Sequence, residues 1–167
     1  MRRTQKAFSL IETLVAVGIL AGALVAAVGL LSLTLRTMRT AQSEFIAAHL
    51  AAEGIEVIRN IRDTNWLRGV AWQTGLDDGS YAVAYDTLPP LAVYDDTQPL
   101  ERDGDGRYCY NCGTETPFRR RVAIELVPVD RDNPGILGIR VTATVLWSDA
   151  AGPRSVVAQD ILYNWYQ

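Results

Sequence analysis

Two cysteines, Cys109 and Cys112, are separated by two residues in a chain of 167, and they are the only ones it has. That spacing serves three chemistries: a small-loop disulfide, a redox-active dithiol, or half of a zinc site. Zinc would need two further soft or imidazole ligands, and His49 is the one histidine. A redox pair belongs at a helix start, whereas Tyr108, Tyr110 and Asn111 read as strand and turn. A structural disulfide is therefore favoured, one that closes so short a loop that it stiffens a turn more than it holds a domain together. The same region carries an acidic cluster, Asp95, Asp96, Glu101, Asp103 and Asp105. Asp103, Gly104, Asp105 and Gly106 start like a calcium loop, but the twelfth position, where an EF-hand needs glutamate, is Thr114. Solvated turn residues are the expectation, with Asp103 and Asp105 a candidate for weak calcium binding and no cofactor expected. A Ser-His-Asp arrangement, a P-loop and a metal-binding histidine pair are all missing from the sequence, so no enzyme is expected. His49 reads as a surface or edge residue of a helix. The one basic run, Arg119 to Arg121, lies on an expected strand with Arg120 pointing opposite its neighbours, and its acidic surroundings argue against nucleic acid as a partner.

What must position these residues begins at the other end of the chain. Net charge is −3, yet Arg2, Arg3 and Lys6 place three positive charges in the first six residues, which leaves −6 for the rest. From Leu14 to Leu31 no side chain is polar, and the apolar character runs on to Leu35 with breaks at Ser32 and Thr34. A helix of about 20 such residues spans the roughly 30 Å of a bilayer core. With Arg2, Arg3 and Lys6 ahead of it, the positive-inside rule puts Met1 in the cytoplasm and exports the C-terminal body. The cysteines then lie in an oxidising compartment, where disulfides persist. The remaining length suits one soluble domain of about 100 residues.

Three readings of the apolar segment are open: a cleaved secretory signal, a plain single-pass anchor, and a prepilin leader with its helix. Ala21, Ala23, Ala26 and Ala27 could loosely supply a secretory cleavage site. Glu12, however, stands at the start of the apolar run, after Phe8, Leu10 and Ile11. A carboxylate there costs about 2.5 to 3.5 kcal/mol at mid-bilayer and less near the interface, and a plain anchor has no use for it. The stretch from Lys6 through Ala7, Phe8, Ser9, Leu10, Ile11, Glu12, Thr13 and Leu14 to Val15 resembles the class III signal of type IV prepilins and type II secretion pseudopilins.

That resemblance implies cleavage between Ala7 and Phe8, methylation of the new Phe8 amine, and Glu12 as the fifth mature residue. Ala7 departs from the glycine usual before the cut; as the next smallest residue it should still permit cleavage, more slowly. The implied partner of Glu12 is the methylated amine of Phe8 on a neighbouring subunit, although residues four apart on one helix could also meet. Either way Glu12 is expected to set register during assembly. Gly18 and Gly22, extended by Ala26, fit close helix packing in a bundle. Residues Ala52 to Arg62 also resemble the helix end of a minor-pilin branch. The implied partners are other pilin or pseudopilin subunits, a prepilin peptidase and methyltransferase, and an inner-membrane assembly platform. The implied location is the inner membrane, then a pilus or pseudopilus.

The expected fold is α+β and pilin-like. Residues 1–7 form a removed leader, 8–35 a transmembrane and filament-core helix, 36–63 its amphipathic continuation, and 64–167 an exported β domain. Met38, Ala41, Phe45, Ala48, Ala52, Ile55 and Ile58 recur every three or four residues and should pack on a sheet. Arg39, Gln42, Glu53, Glu56, Arg59 and Asp63 form the other face, with Arg59 and Asp63 spaced to pair and the helix ending near Asp63. Strands are expected at Ser80 to Leu88, Phe118 to Val129, Ile136 to Trp147 and Ser155 to Trp165, joined as an antiparallel meander of three or four long strands. In the third, Ile139, Val141, Ala143, Val145 and Trp147 share one face. Asp130 to Gly135 and Ser148 to Pro153 carry turn residues. Residues 89–117 read as an irregular insertion with a short hairpin. Two rival functions remain: a filament-tip adhesin or DNA-binding minor pilin acting through that insertion, and a single-pass envelope protein that never assembles.

Overall fold

The computed structural model describes residues 9–128, 137–150 and 152–164. The leader positions Arg2, Arg3, Lys6 and Ala7, the Phe8 junction, and the expected turn at 130–135 lie outside them. By its contacts the chain divides into two compact units, meeting between Gln42 and Ser43.

One helix, α1 (Leu10–Leu67), supplies the first unit and opens the second. No proline occurs before Pro89, and the early sequence is dominated by Ala and Leu, both strong helix formers. Its hydroxyl residues turn back on the helix: Ser32 donates to the carbonyl of Val28 at 3.0 Å and Thr34 to that of Leu30 at 2.9 Å. The two breaks in the apolar run thus carry no unsatisfied hydroxyl into an apolar medium. The helix runs four residues beyond the expected Asp63. It ends where Val70 N–H reaches Asn65 O at 3.1 Å and Gly69 N–H reaches Trp66 O at 3.0 Å, with Gly69 at φ +68°. This Schellman closure needs a left-handed residue, which glycine adopts at least cost.

Among the described residues eight strands follow: β1 (Gly79–Ala82), β2 (Ala92–Val93), β3 (Glu101–Arg102), β4 (Tyr108–Cys109), β5 (Thr114–Glu115), β6 (Arg119–Pro128), β7 (Leu137–Asp149) and β8 (Gly152–Tyr163). They form a five-stranded sheet in the order β2-β1-β6-β7-β8 and a small sheet in the order β4-β3-β5, antiparallel throughout. The fold is α+β, as expected. The long meander is β6-β7-β8; the expected strand at Ser80 to Leu88 is only four residues long in β1, and β2 adds a fifth strand. In β7, Ile139, Val141, Ala143, Val145 and Trp147 are all buried, the period-two face read from sequence.

The face of α1 that covers this sheet differs from the expected stripe. Buried on it are Ala47, Leu50, Ala51, Gly54, Ile55, Ile58, Ile61, Arg62 and Asn65. Of the predicted positions only Ile55 and Ile58 are among them, while Met38 and Phe45 are 63% and 67% exposed. Gly54 is consistent with this rotation: a Cβ there would meet Val122 Cγ2 at 3.1 Å and Arg120 Cδ at 3.2 Å, so the helix comes close to the sheet at a position that has no side chain. An apolar count overlooks such a position. Of the expected Arg59–Asp63 pair only a charge interaction is present: the hydrogen bond to Asp160 raises the pKa of Arg59 most, and Asp63 is the last of the carboxylates that raise it. Arg59 bonds Glu56 and, from Nη2, Asp160 of β8 at 2.7 Å, and Asp63 accepts from Arg62 Nε at 2.8 Å.

Candidate functional site

In the first unit the chemistry is almost entirely apolar. Ser9 precedes the first helical residue, and the main-chain N–H of Glu12 bonds the carbonyl of Ser9 at 3.0 Å. Ser9-Leu10-Ile11-Glu12 is the S-x-x-E pattern of a helix start. Glu12 lies in the first helical turn, where the unpaired N–H groups and the helix dipole favour a negative charge. The sequence reading of Glu12 missed that local role, for which the S-x-x-E spacing is the signal, and it is separate from any intersubunit one. From Leu10 to Leu35 every residue is exposed, among them Leu14, Val15, Ile19, Leu20, Leu24, Val28 and Leu31. A side chain added at Gly18, Gly22 or Gly29 would meet nothing within 4 Å. The helix is long and apolar enough to cross a membrane, and none of its most apolar stretch is buried by the rest of the chain.

In the second unit, the insertion at 89–117 proves more ordered than expected. Glu101 anchors it: the residue pairs with Cys109 on one side and Glu115 on the other. Its Oε2 also accepts the main-chain N–H of Cys112 at 2.6 Å and of Gly113 at 2.7 Å. Cys109 and Cys112 form a disulfide with their Cα atoms 6.0 Å apart. The turn it closes holds Asn111 at φ 54°, a conformation asparagine tolerates better than most residues. Leu100 is fully buried and exchanges main-chain bonds with Phe118 and Thr116, while Tyr110 donates to the carbonyl of Arg120 at 3.0 Å. The bridged turn is thereby tied to strand β6, with burial raising the pKa of Tyr110.

The acidic residues of the insertion serve its turns. Asp103 Oδ1 accepts the N–H of Asp105 at 2.9 Å and of Arg107 at 2.8 Å. These bonds, that of Arg107 foremost, hold its carboxyl below the usual range. Asp95 caps Thr97 through both its main-chain N–H and its hydroxyl, which lowers Asp95 likewise. Asp105 lies 3.8 Å from Arg107. Among the described residues no three His, Cys, Asp or Glu side chains converge as a metal site would require.

Of the basic run, Arg119 is half-buried, Arg120 is fully buried and Arg121 is exposed, the alternation expected of a strand. Arg120 Nε donates to Val83 O and Nη1 to Leu50 O, each at 2.8 Å; Nη2 also bonds Val83 O, and Nη1 reaches Glu53 Oε1 at 2.9 Å. Its role is structural, and sequence reading found its direction but not its partners. His49 is exposed on the helix, edge-on to Phe45 with ring centroids 4.4 Å apart.

The second unit is a disulfide-bearing α+β body, and the first is an apolar helix of membrane-spanning length. No known family model, curated protein or solved structure matches the chain.

Proposed function

We propose that this chain is a structural subunit, a minor pilin or pseudopilin, of a type IV pilus-like or type II secretion filament. It is cut between Ala7 and Phe8, methylated on the Phe8 amine, and held in the inner membrane by α1 until it joins the filament. Its work is packing and register, and it catalyses no reaction. One observation carries the reading: helix α1 starts two residues after the Ala7–Phe8 junction, has Glu12 in its first turn, and leaves every side chain to Leu35 exposed. A helix that apolar needs hydrocarbon or other helices around it, and a filament core supplies the second once the membrane has supplied the first. The carboxylate at its head then needs a partner, because an unpaired charge buried in such a core is destabilising by several kcal/mol. The disulfide-braced body is what an exported domain would carry.

N-terminal sequencing with mass determination of the mature protein tests the proposal. Methylated Phe8 as the first residue is the expected result, and an intact Met1 would overturn it.

A further inference from the structure

Arg36 and Arg39 are the only charged residues between Glu12 and Glu44. Both are exposed, and among the described residues neither has an ion-pair partner. In the proposed topology they lie on the exported flank of the membrane segment, where cations work against the orienting signal of Arg2, Arg3 and Lys6. Two charges placed against that signal call for another use.

The second unit offers a counterpart. A groove of about 320 Å³ runs between α1 and the segment after β1, lined by Glu53, Glu56, Val57 and Asn60 from the helix and by Tyr85 to Leu88 from the segment. Its acidic residues are not saturated. Arg59 is shared between Glu56 and Asp160, Glu53 offers Arg120 only Oε1, and among the described residues Asp86 has no ion-pair partner. Val57 and Leu88 supply an apolar surface on which the methylene stem of an arginine can lie while its head stays hydrated. The spacing matches as well: Arg36 and Arg39 are three apart, Glu53 and Glu56 are three apart, and each arginine precedes its glutamate by 17 positions. A single displacement of one parallel helix along another therefore forms both pairs together.

We propose that Arg36 and Arg39 of one copy of this chain dock into the groove of a second copy, Arg36 against Glu53 and Arg39 against Glu56. The inference rests on the filament reading and names a contact within it. The occupant is a second copy because the two halves of the match are on one helix and differ by one constant offset. Anionic lipid headgroups would also attract two arginines, but they impose no three-residue spacing on a protein groove.

Two tagged forms of the full-length chain, one Arg39→Cys and one Glu56→Cys, are produced together in cells that assemble the protein, and membranes and filaments are oxidised. With Cys109 and Cys112 already joined, the introduced thiols report alone. A disulfide-linked dimer carrying both tags is expected, at least tenfold above either single-tag dimer. In a parallel arm, Arg39→Glu is expected to lower incorporation about tenfold, and Glu56→Arg in the same chain to restore it to within threefold. Failure of the mixed dimer to exceed the single-tag dimers overturns the proposal. So does failure of Glu56→Arg to rescue Arg39→Glu, which would assign Arg39 to lipid headgroups. The N-terminus is read on the same samples: methylated Phe8 without the mixed dimer removes this contact and leaves the filament reading in place. An intact Met1 removes the filament reading, and the cross-link still decides whether the copies meet in the membrane.

Discussion

Nη1 of Arg120 lies 2.8 Å from the main-chain carbonyl of Leu50, so a strand side chain bonds the backbone of the helix that covers it. The same guanidinium bonds Val83 O and Glu53. One buried cation thus ties together the helix, the end of β1 and strand β6. Removing it would take from the buried carbonyl of Val83 its guanidinium donors, at about 1 to 3 kcal/mol for such a group, while the Leu50 carbonyl keeps its place in the helix ladder. Arg120→Ala is expected to destabilise the second unit by about 3 kcal/mol, and Arg120→Lys by less, since an ammonium can keep one bond. Near-ultraviolet circular dichroism during thermal unfolding, which reports the buried Trp147 beside Phe118, would measure both.

Gly54 gives that guanidinium its room. Gly54→Leu must displace Val122, Arg120 or Ala143, and overpacking of this kind costs about 1 to 3 kcal/mol. Gly54→Ala gains about 1 kcal/mol of helix propensity, set against contacts at 3.1 and 3.2 Å. The alanine variant should therefore unfold close to the parent and the leucine variant well below it. A denaturant series on both would show the order.

The Cys109–Cys112 bond closes a loop of only three residues of separation. Chain-entropy arithmetic gives a loop that short about 2 kcal/mol. Cys112→Ser should lower stability by no more than that. Hydrogen exchange should rise in the turn that Glu101 supports and leave the β6–β7–β8 ladder unchanged.

Two groups outside the apolar segment set a pH response. Asp103 is held below the usual carboxylate range by the N–H of Arg107, so its contribution is present above that range and lost as pH falls through the lowered pKa. Because the group is exposed, the effect is local: the Arg107 amide should lose protection in acid, and Asp103→Asn should remove the transition. Tyr94 is pushed up to about 12, by burial first and then by its hydrogen bond to Asp96. A raised tyrosine stabilises the fold below its ordinary pKa near 10, and that contribution fades between pH 10 and about 12. Absorbance titration at the phenolate band, compared with Tyr94→Phe, would isolate it.

For Glu12, the proposed filament role and the local helix-start role predict different outcomes. Glu12→Val should leave membrane insertion intact and sharply reduce incorporation into filaments. Glu12→Gln keeps a polar side chain but no charge, and should fail equally if charge pairing sets register. Incorporation of either variant at parental levels would leave Glu12 only its place in the first helical turn.

Long periodic segments were the legible part of this chain. The apolar helix, the shared face of β7 and the alternation of Arg120 against its neighbours all followed from spacing, whereas the burial of Arg120 did not. The helix face on the sheet did not, because Gly54 contributes by absence and the stripe through Ala41, Ala48 and Ala52 has too little surface to decide a rotation. The helix end was missed for a related reason, since Gly69 carries no periodicity and acts through its left-handed backbone. Strands β2 to β5 are two residues each, too short for an alternation to show. The disulfide was legible from composition, whereas the hold of Glu101 on the turn depends on a fold that brings residues eleven and twelve positions apart together.

Strand β8 ends the five-stranded sheet, and among the described residues nothing pairs with its outer edge. Along one side it shows Val157, Ile161 and Tyr163 to solvent. An open edge twelve residues long is a template for any extended chain nearby. A preparation of this protein will therefore keep best when dilute and cold, and its slow losses on storage should begin with strands meeting at β8 rather than with melting of the core.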